Sequence, residues 1–423
     1  MTTDPRTDPR DPVGGVPALA RELLALFTAA WWEADTGLPD LGPRIARPEQ
    51  SRRERELEAL VDRLLRELKA PPGSACEREA AERRVAAFGR DFAKSTLDLE
   101  DRHLDALLQA GFPEAAREFA RKARRFDPTV SGEDIAQAGR NVWTMSSAQM
   151  MLGLPVRLSP SVFAYSLLYP ATDNLLDDPS IPEESKRAFN DRFERRLRGE
   201  AISPSDPHEQ TIWRLVSMIE DEYDRSSNPQ VFESLLAIHR AQERSLLLLR
   251  PGASPYEVDV LGITLEKGGT SVLADGYLVA GSLRRPQAEL FFGLGALLQL
   301  ADDLQDVCED TRSGVLTVFS QTARRWPLDR LTDRTLEFRA RVLERLSAID
   351  APEAEPLLDL VKRSSLHLIL SAAGQASPLY SKSYIRELEA HSPFRFPFLL
   401  RQRKRLAREH VSILAIAQAS WDG

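Results

Sequence analysis

The chain has 423 residues, which is enough for two or three average domains or for one helical enzyme built around a large cavity. Its content of 42% hydrophobic and 28% charged residues is typical of an ordinary globular protein. The net charge of −8 argues against nucleic acid as a partner, because proteins that bind nucleic acid usually carry a basic surface.

The cysteine content and the first residues of the sequence indicate the cellular compartment. Cys76 and Cys308 are the two cysteines, too few for a disulfide-stapled secreted fold and typical of a reducing compartment. No run reaches the roughly 20 apolar residues that span a bilayer, and the first residues do not resemble a signal peptide. We therefore expect a cytoplasmic protein without a transmembrane segment, with residues 1–17 as a disordered tail.

Residues 18–158 show a succession of helical patterns separated by short polar breaks. Ser131 followed by Asp134 predicts the start of one of these helices. Glu100 and His103 have the spacing of half a di-iron site, but that site needs a second such pair and the sequence lacks it. No alternating strand pattern occurs anywhere in the chain, so the sequence predicts an all-α fold.

A first apolar stretch ends in the carboxylates Asp173, Asp177 and Asp178. Pro179 disfavours helix at the preceding residue, so these acids should lie in the last turn of a helix. The helix macrodipole disfavours anions there by about 0.3 to 1 kcal/mol each, which makes the placement unfavourable for stability alone. We also expect the interior Pro170 to kink or restart this helix.

Residues 256–281 predict an apolar helix with an unusual number of glycines: Gly268, Gly269, Gly276 and Gly281. Each glycine costs a helix roughly 1 kcal/mol relative to alanine, so another interaction should offset that cost. The pair beside Lys267 would let the backbone bend or a ligand approach closely. For Gly276 and Gly281, close packing against another helix explains the glycines as well as the approach of a ligand does.

A second acidic stretch, residues 294–310, reads as one helix with two opposed faces. Its apolar stripe consists of Leu297, Ala301, Leu304 and Cys308. Asp302, Asp306 and Asp310 recur every four residues on the other face, where like charges repel each other. A solvated acidic face would explain this helix taken alone. Two acid rows on apolar helices instead suggest a cavity mouth that holds Mg2+, which in turn implies a phosphate-bearing ligand.

Two elements upstream of the second stretch carry a family resemblance. The pattern Asp173-x-x-x-Asp177-Asp178 resembles the first aspartate-rich motif of the squalene and phytoene synthase branch of class I isoprenoid synthases. The segment from Gly276 through Tyr277 to Gly281 resembles the tyrosine-bearing helix that precedes the second motif of that branch.

The second stretch agrees with that resemblance. Leu298-Gln299 followed by Asp302, Asp306 and Asp310 is similar to the second motif of the same branch. Gln299 with Asp302-Asp303-x-x-Asp306 is also similar to the polyprenyl diphosphate synthases. The resemblance covers residues 159–314.

The resemblance implies a class I isoprenoid synthase fold, in which a helical bundle surrounds a central apolar cavity. It implies that several Mg2+ ions are held at the cavity mouth by Asp173, Asp177 and Asp178 on one wall and by Asp302, Asp306 and Asp310 on the other. These ions bridge to the diphosphate of a prenyl diphosphate substrate. The implied catalytic residues are Asp173, Asp177, Asp306 and Tyr277. The expected substrate contacts are Tyr165 and Tyr169 through their ring faces, Gln299, and the basic residues Arg187, Lys267 and Arg312.

On this reading residues 159–330 form the catalytic core and residues 331–423 complete the bundle. We expect a class I terpene synthase that ionises one prenyl diphosphate and cyclises the resulting cation. Head-to-head coupling of two prenyl diphosphates and chain elongation are the alternative reactions, and a helical interaction protein is the alternative without catalysis. Assembly as a homodimer stays open.

Overall fold

The structure is a computed structural model that describes residues 15–68, 77, 80, 83–84, 87–88, 90–91, 93–94, 99–177, 180–249 and 257–408. Every regular element within these residues is a helix, so the all-α prediction is confirmed for them. None of the described helices is both long and apolar enough to cross a membrane.

The first nine α-helices are α1 (Gly15–Glu33), α2 (Arg47–Leu68), α3 (Asp101–Ala110), α4 (Phe112–Phe126), α5 (Gly132–Met151), α6 (Pro160–Asp177), α7 (Glu183–Leu197), α8 (Pro207–Glu222) and α9 (Pro229–Ser245). They are followed by α10 (Val260–Ala280), α11 (Arg285–Gln305), α12 (Val307–Ser313), α13 (Val318–Ala323), α14 (Asp329–Glu344), α15 (Glu355–Gln375), α16 (Lys382–Ala390) and α17 (Phe396–Arg408). Short 3-10 helices cover Leu246–Leu249, Arg345–Ala348, Pro352–Ala354 and Ser377–Leu379.

Local capping interactions fix several of these boundaries. The backbone N–H of Asp134 donates to Ser131 Oγ over 3.0 Å, which confirms the predicted start of α5. At the start of α8, the backbone N–H of Glu209 donates to Asp206 Oδ1 over 2.9 Å. Gly111, with φ of +98°, is the single residue between α3 and α4, because a left-handed backbone ends one helix and redirects the chain.

Two expected boundaries differ from the structure. Helix α1 begins at Gly15, so the last three residues of the expected tail are helical, while residues 1–14 lie outside the described part. Helix α10 begins at Val260 rather than at Tyr256, which is itself outside the described residues. Asp259 sets this start, since its side chain accepts a hydrogen bond from the backbone N–H of Gly262 over 2.9 Å.

The described helices enclose two large apolar cores that share α10, and two smaller apolar clusters lie beside them. The rings of Phe27, Phe292 and Phe338 meet in the first core, with centroids 5.7 and 6.2 Å from that of Phe27. The second core is built mainly from α4 to α9. Helix α10 gives Tyr277 to the first core and Leu278 to the second, so it forms the wall between them. Burial of each large side chain contributes roughly 1.5 to 3 kcal/mol.

The glycine pair of α10 serves close helix packing rather than a bend. Helix α10 is continuous through Gly268 and Gly269. A Cβ at Gly268 would lie 2.4 Å from the backbone oxygen of Gly295 on α11, and one at Gly269 would lie 2.5 Å from the Phe292 ring. Gly276 also packs closely, because its Cβ would lie 2.8 Å from the Phe291 ring. The approach of α11 therefore offsets the helix cost of these glycines.

Gly268→Ala should lower the free energy of unfolding by about 2 kcal/mol or more, as measured by urea denaturation. The added methyl group meets backbone, which cannot rotate away, so α10 and α11 must separate. Gly139→Ala, inside α5 with nothing within 4 Å of the added carbon, is the matched control and should be neutral or stabilising by up to about 1 kcal/mol. Equal effects of the two substitutions would contradict the packing role of Gly268.

Candidate active site

The first acidic motif lies at the C-terminal end of α6. The helix neither ends nor restarts at Pro170, so the expected restart is wrong. Pro170 is itself buried, and the packing of α6 against α5 and α8 holds the helix through the missing hydrogen bond. Asp173 and Asp177 belong to the last residues of α6, as predicted. Their side chains, the side chain of Tyr169, and the whole of Asp178 lie outside the described part of the chain.

The second motif is not one helix. Helix α11 ends at Gln305, Asp306 has φ of −94° and ψ of 4°, and α12 begins at Val307. Leu297, Ala301 and Leu304 are buried as predicted. Cys308, expected on the same apolar stripe, is exposed, because the break turns α12 so that Val307 points inward instead.

The break leaves the three acids as neighbours. The backbone N–H of Asp306 donates to the carbonyl oxygen of Asp302, and the N–H of Asp310 donates to that of Asp306, each over 2.9 Å. The helical spacing of the acids therefore survives although the helix is interrupted.

Burial and mutual repulsion shift the pKa values of Asp302 and Asp310. Burial, then repulsion from Asp306, Asp302 and Glu309, raises the pKa of Asp310 to about 6. Burial and repulsion from Asp306 also raise the pKa of Asp302, although that residue keeps an exposed surface. A cation placed among these carboxylates would relieve their repulsion.

Two basic residues oppose the acids. The charges of Lys267 on α10 and Arg140 on α5 both lower the pKa of Asp302 and partly offset the effect of burial. Lys267 was predicted from its place beside the glycine pair. Arg140 was missed, because only the packing of α5 against α10 brings it near the second motif.

Asp303 is buried beside the row of acids and accepts hydrogen bonds from two other side chains. Gln299 Nε2 donates to Asp303 Oδ1 over 3.0 Å, and Thr264 Oγ1 donates to Asp303 Oδ2 over 3.2 Å. Burial raises the pKa of Asp303 to about 7 despite these hydrogen bonds. Gln299 is expected at the substrate, and in the structure its side chain donates to Asp303 on the same helix. Asp303 in turn accepts from Thr264 and so links α11 to α10.

The remaining candidate residues are dispersed. Tyr277 and Tyr165 are 1% and 3% exposed and belong to the first and second core, respectively. Arg187 is exposed on α7. Arg312 is exposed on α12, where its Nε donates to the carbonyl oxygen of Cys308 over 3.1 Å. Of the three basic residues expected near the diphosphate, Lys267 is the one whose charge acts on the acid row.

Asp275 is a further polar residue that the sequence reading missed. It is fully buried in α10, and neither carboxyl oxygen has a hydrogen-bond partner among the described residues. Burial raises its pKa well above the usual range, and the nearby Asn141 side chain acts in the opposite direction. The recurrence of Lys267, Ser271 and Asp275 at four-residue steps of an apolar helix was the available signal.

Metal-ligand geometry is incomplete in what the structure describes. Within residues 15–408, leaving aside the undescribed ones, no three His, Cys, Asp or Glu side chains are grouped so as to hold a metal ion. The side chains of Asp173 and Asp177 are not among these described side chains. The di-iron spacing has a structural explanation, since buried His103 accepts from the backbone N–H of Glu100 over 2.9 Å and contacts Asp359 Oδ2 over 2.9 Å.

Comparison with known proteins gives no family assignment. No protein-family model matches the chain, and no curated protein matches it.

Asp275→Asn should change how stability depends on pH. The folded protein retains the Asp275 proton above the pH at which the unfolded chain releases it, near 3.8. The wild-type free energy of unfolding therefore loses up to about 1.4 kcal/mol per pH unit from this group as the pH rises. Because asparagine does not titrate, the stability of the variant relative to wild type should increase between about pH 5 and 7, as measured by urea denaturation.

Asp191→Asn, at an exposed position of α7, is the matched control and should give a stability difference that is constant over the same pH range. A constant difference for Asp275→Asn as well would show that Asp275 is ionised in the folded protein.

Proposed function

We propose that the chain is a Mg2+-dependent class I terpene synthase, which ionises a prenyl diphosphate and cyclises the resulting allylic cation. The observation that carries the proposal is the mixed charge at the junction of α11 and α12. Asp302, Asp306 and Asp310 repel one another there, and Lys267 and Arg140 act on the same site. Acids that repel one another gain from a cation, and bases whose charges act on the same site gain from an anion, so a diphosphate that carries Mg2+ would satisfy both.

The donor chemistry fits magnesium. An all-carboxylate set favours hard, oxygen-seeking cations, and Asp302, Asp306 and Asp310 would hold them. When bound, Mg2+ supplies charge neutralisation at the leaving diphosphate. Asp173, Asp177 and Asp178 would complete the ligand set from the end of α6, as the resemblance implies.

The side chains around the junction have separate roles in this proposal. Lys267 and Arg140 would bind diphosphate oxygens and orient the carbon-oxygen bond that breaks. Asp303, held by Gln299 and Thr264, would fix the rotation of α11 relative to α10 and so position the acid row. The substrate's apolar chain would extend along the apolar residues of α10, where water is excluded and the carbocation survives long enough to cyclise.

The aromatic candidates are constrained by burial. Tyr277 and Tyr165 are packed within the two cores on either side of α10. Their ring faces would stabilise the cation only where the substrate reaches those cores, a role that cation–π attraction makes favourable in a dry site. Burial raises the pKa of Asp275, and a protonated Asp275 would leave the wall of α10 without a fixed charge that could trap the cation early.

Mg2+ and pyrophosphate added together should raise the melting temperature more than either does alone, because ligands that bind the native state stabilise it. The effect should decrease below about pH 6, since protonation of Asp310 competes with the metal. Differential scanning fluorimetry in the four combinations of the two ligands measures this. An unchanged melting temperature in all four would favour the alternative of a helical interaction protein.

Asp306→Asn and Asp173→Asn should each lower turnover about a hundredfold or more while the melting temperature changes little, because each removes a metal ligand rather than a core contact. Asp191→Asn is the control and should keep wild-type turnover. Turnover is measured as pyrophosphate release from prenyl diphosphates of increasing chain length. Wild-type rates in both variants would show that other residues hold the metal.

The products distinguish the reactions. Mass spectrometry of the extract should show hydrocarbons or alcohols with the carbon count of the substrate, as cyclisation requires. Products of doubled carbon count would establish the head-to-head coupling of the squalene and phytoene branch, and lengthened diphosphates would establish chain elongation.

A further inference from the structure

A groove of about 610 Å3 lies away from the helices that carry the candidate acids. It is enclosed by residues 41–53, by the second half of α15, and by the turn at residues 391–393. Its volume is within the range of roughly 300 to 1,000 Å3 that is usual for small-molecule sites. None of its lining residues belongs to α6, α11 or α12.

Hydrogen bonds hold the two sides of the groove together. The backbone N–H of Ile45 donates to the carbonyl oxygen of Ala390 over 2.7 Å. The amide of Gln50, which is 1% exposed, donates to the carbonyl oxygens of Glu389 and Ser392 over 2.8 and 2.9 Å. The segment 41–53 is thereby fixed to the turn after α16. Both sides of the groove therefore belong to the packed fold.

The wall of the groove is apolar. Leu370, 1% exposed, belongs to the first core, and Leu41, Ile45 and Leu366 cover the sides. Contacts of this kind favour a hydrocarbon body over a compact polar ion.

The charged residues of the groove are mainly basic. Arg44, Arg53 and Arg363 line it together with one acid, Glu49. Each arginine has a carboxylate neighbour: Glu387 for Arg44 at 2.5 Å, Glu49 for Arg53 at 2.8 Å, and Asp359 for Arg363 at 3.0 Å. The ion pair between Arg44 and Glu387 uses one terminal nitrogen of the guanidinium, which has five N–H donors in all. The exposed guanidinium of Arg44 can therefore also bind an anionic ligand.

Two imidazoles complete the lining. Burial lowers the pKa of His367 to about 4, so this ring is neutral at pH 7. The side chain of His391 is only 10% exposed, and its Nδ1 has no hydrogen-bond partner among the described residues. Its Nε2 lies 3.6 Å from Glu387 Oε1. An unpaired buried nitrogen is unfavourable, and a polar ligand atom in the groove would offset that penalty.

We propose that this groove is a second binding site, which takes a small amphiphile with one carboxylate head and an aliphatic chain. The carboxylate head accepts hydrogen bonds from Arg44 and Arg363 and from an Nδ1–H of His391, and the chain lies along Leu366 and Leu370. A free inorganic anion lacks the apolar body that the wall accommodates, and a neutral lipid lacks the charge that the arginines bind.

Isothermal titration calorimetry with decanoate and with 1-decanol tests this site. Decanoate should bind the full-length protein with one site per chain and more tightly than 1-decanol. Arg44→Gln combined with Arg363→Gln should weaken decanoate binding at least about tenfold and leave 1-decanol binding unchanged. Leu366→Glu should weaken the binding of both compounds, because it places a charge on the half-buried apolar wall.

Arg52→Gln is the matched control. Arg52 pairs with the same Glu49 but does not line the groove, so decanoate binding should keep its wild-type affinity. Absence of decanoate binding to the wild-type protein overturns the proposal. So does equal decanoate affinity in wild type and the double arginine variant, provided that circular dichroism shows both to be folded.

Discussion

The contact between α10 and α11 is the constraint on which the candidate site depends. Gly268 and Gly295 face each other so closely that a Cβ on either would meet the backbone oxygen of the other at 2.4 or 2.0 Å. At this separation Thr264 can reach Asp303, and the charge of Lys267 acts on Asp302. A wider spacing would remove both interactions. The glycines therefore determine the electrostatics of the site, although they contribute no polar side chain to it.

The acids of the chain fall into two groups with different chemistry. Asp302 and Asp310 retain solvent contact and repel each other, so their charge is available to a cation. Asp275 is fully buried, its carboxyl oxygens have no hydrogen-bond partner in the described part of the chain, and burial raises its pKa well above the usual range. Asp303 is intermediate, because two hydrogen bonds partly offset its burial. The degree of burial, rather than the residue type, thus determines whether a carboxyl group keeps a charge that a cation can bind.

The sequence predicts the helices better than it predicts their contacts. The cap at Ser131 and the buried stripe of Leu297 and Leu304 follow from local chemistry and periodicity, and the structure confirms them. The break at Asp306 and the role of Gly268 depend on neighbouring helices, which no periodicity records. The same holds for the site, since a pattern of carboxylates identifies candidate ligands but not the opposing charges from α5. The proposed chemistry of the motifs thus depends on the family resemblance. The residues that surround the motifs can be identified only from the tertiary structure.

The interruption at Asp306 also has a mechanical consequence. Helix α12 has seven residues and is bounded by Asp306 at one end and by Gly314, with φ of +85°, at the other. The backbone hydrogen bonds from Asp306 to Asp302 and from Asp310 to Asp306 span the interruption, so this short segment stays in register with the long helix that precedes it. The fully buried Val307 anchors its first turn in the core. Asp310, which lies in that first turn, is therefore held in place from two sides, by the core and by the end of α11.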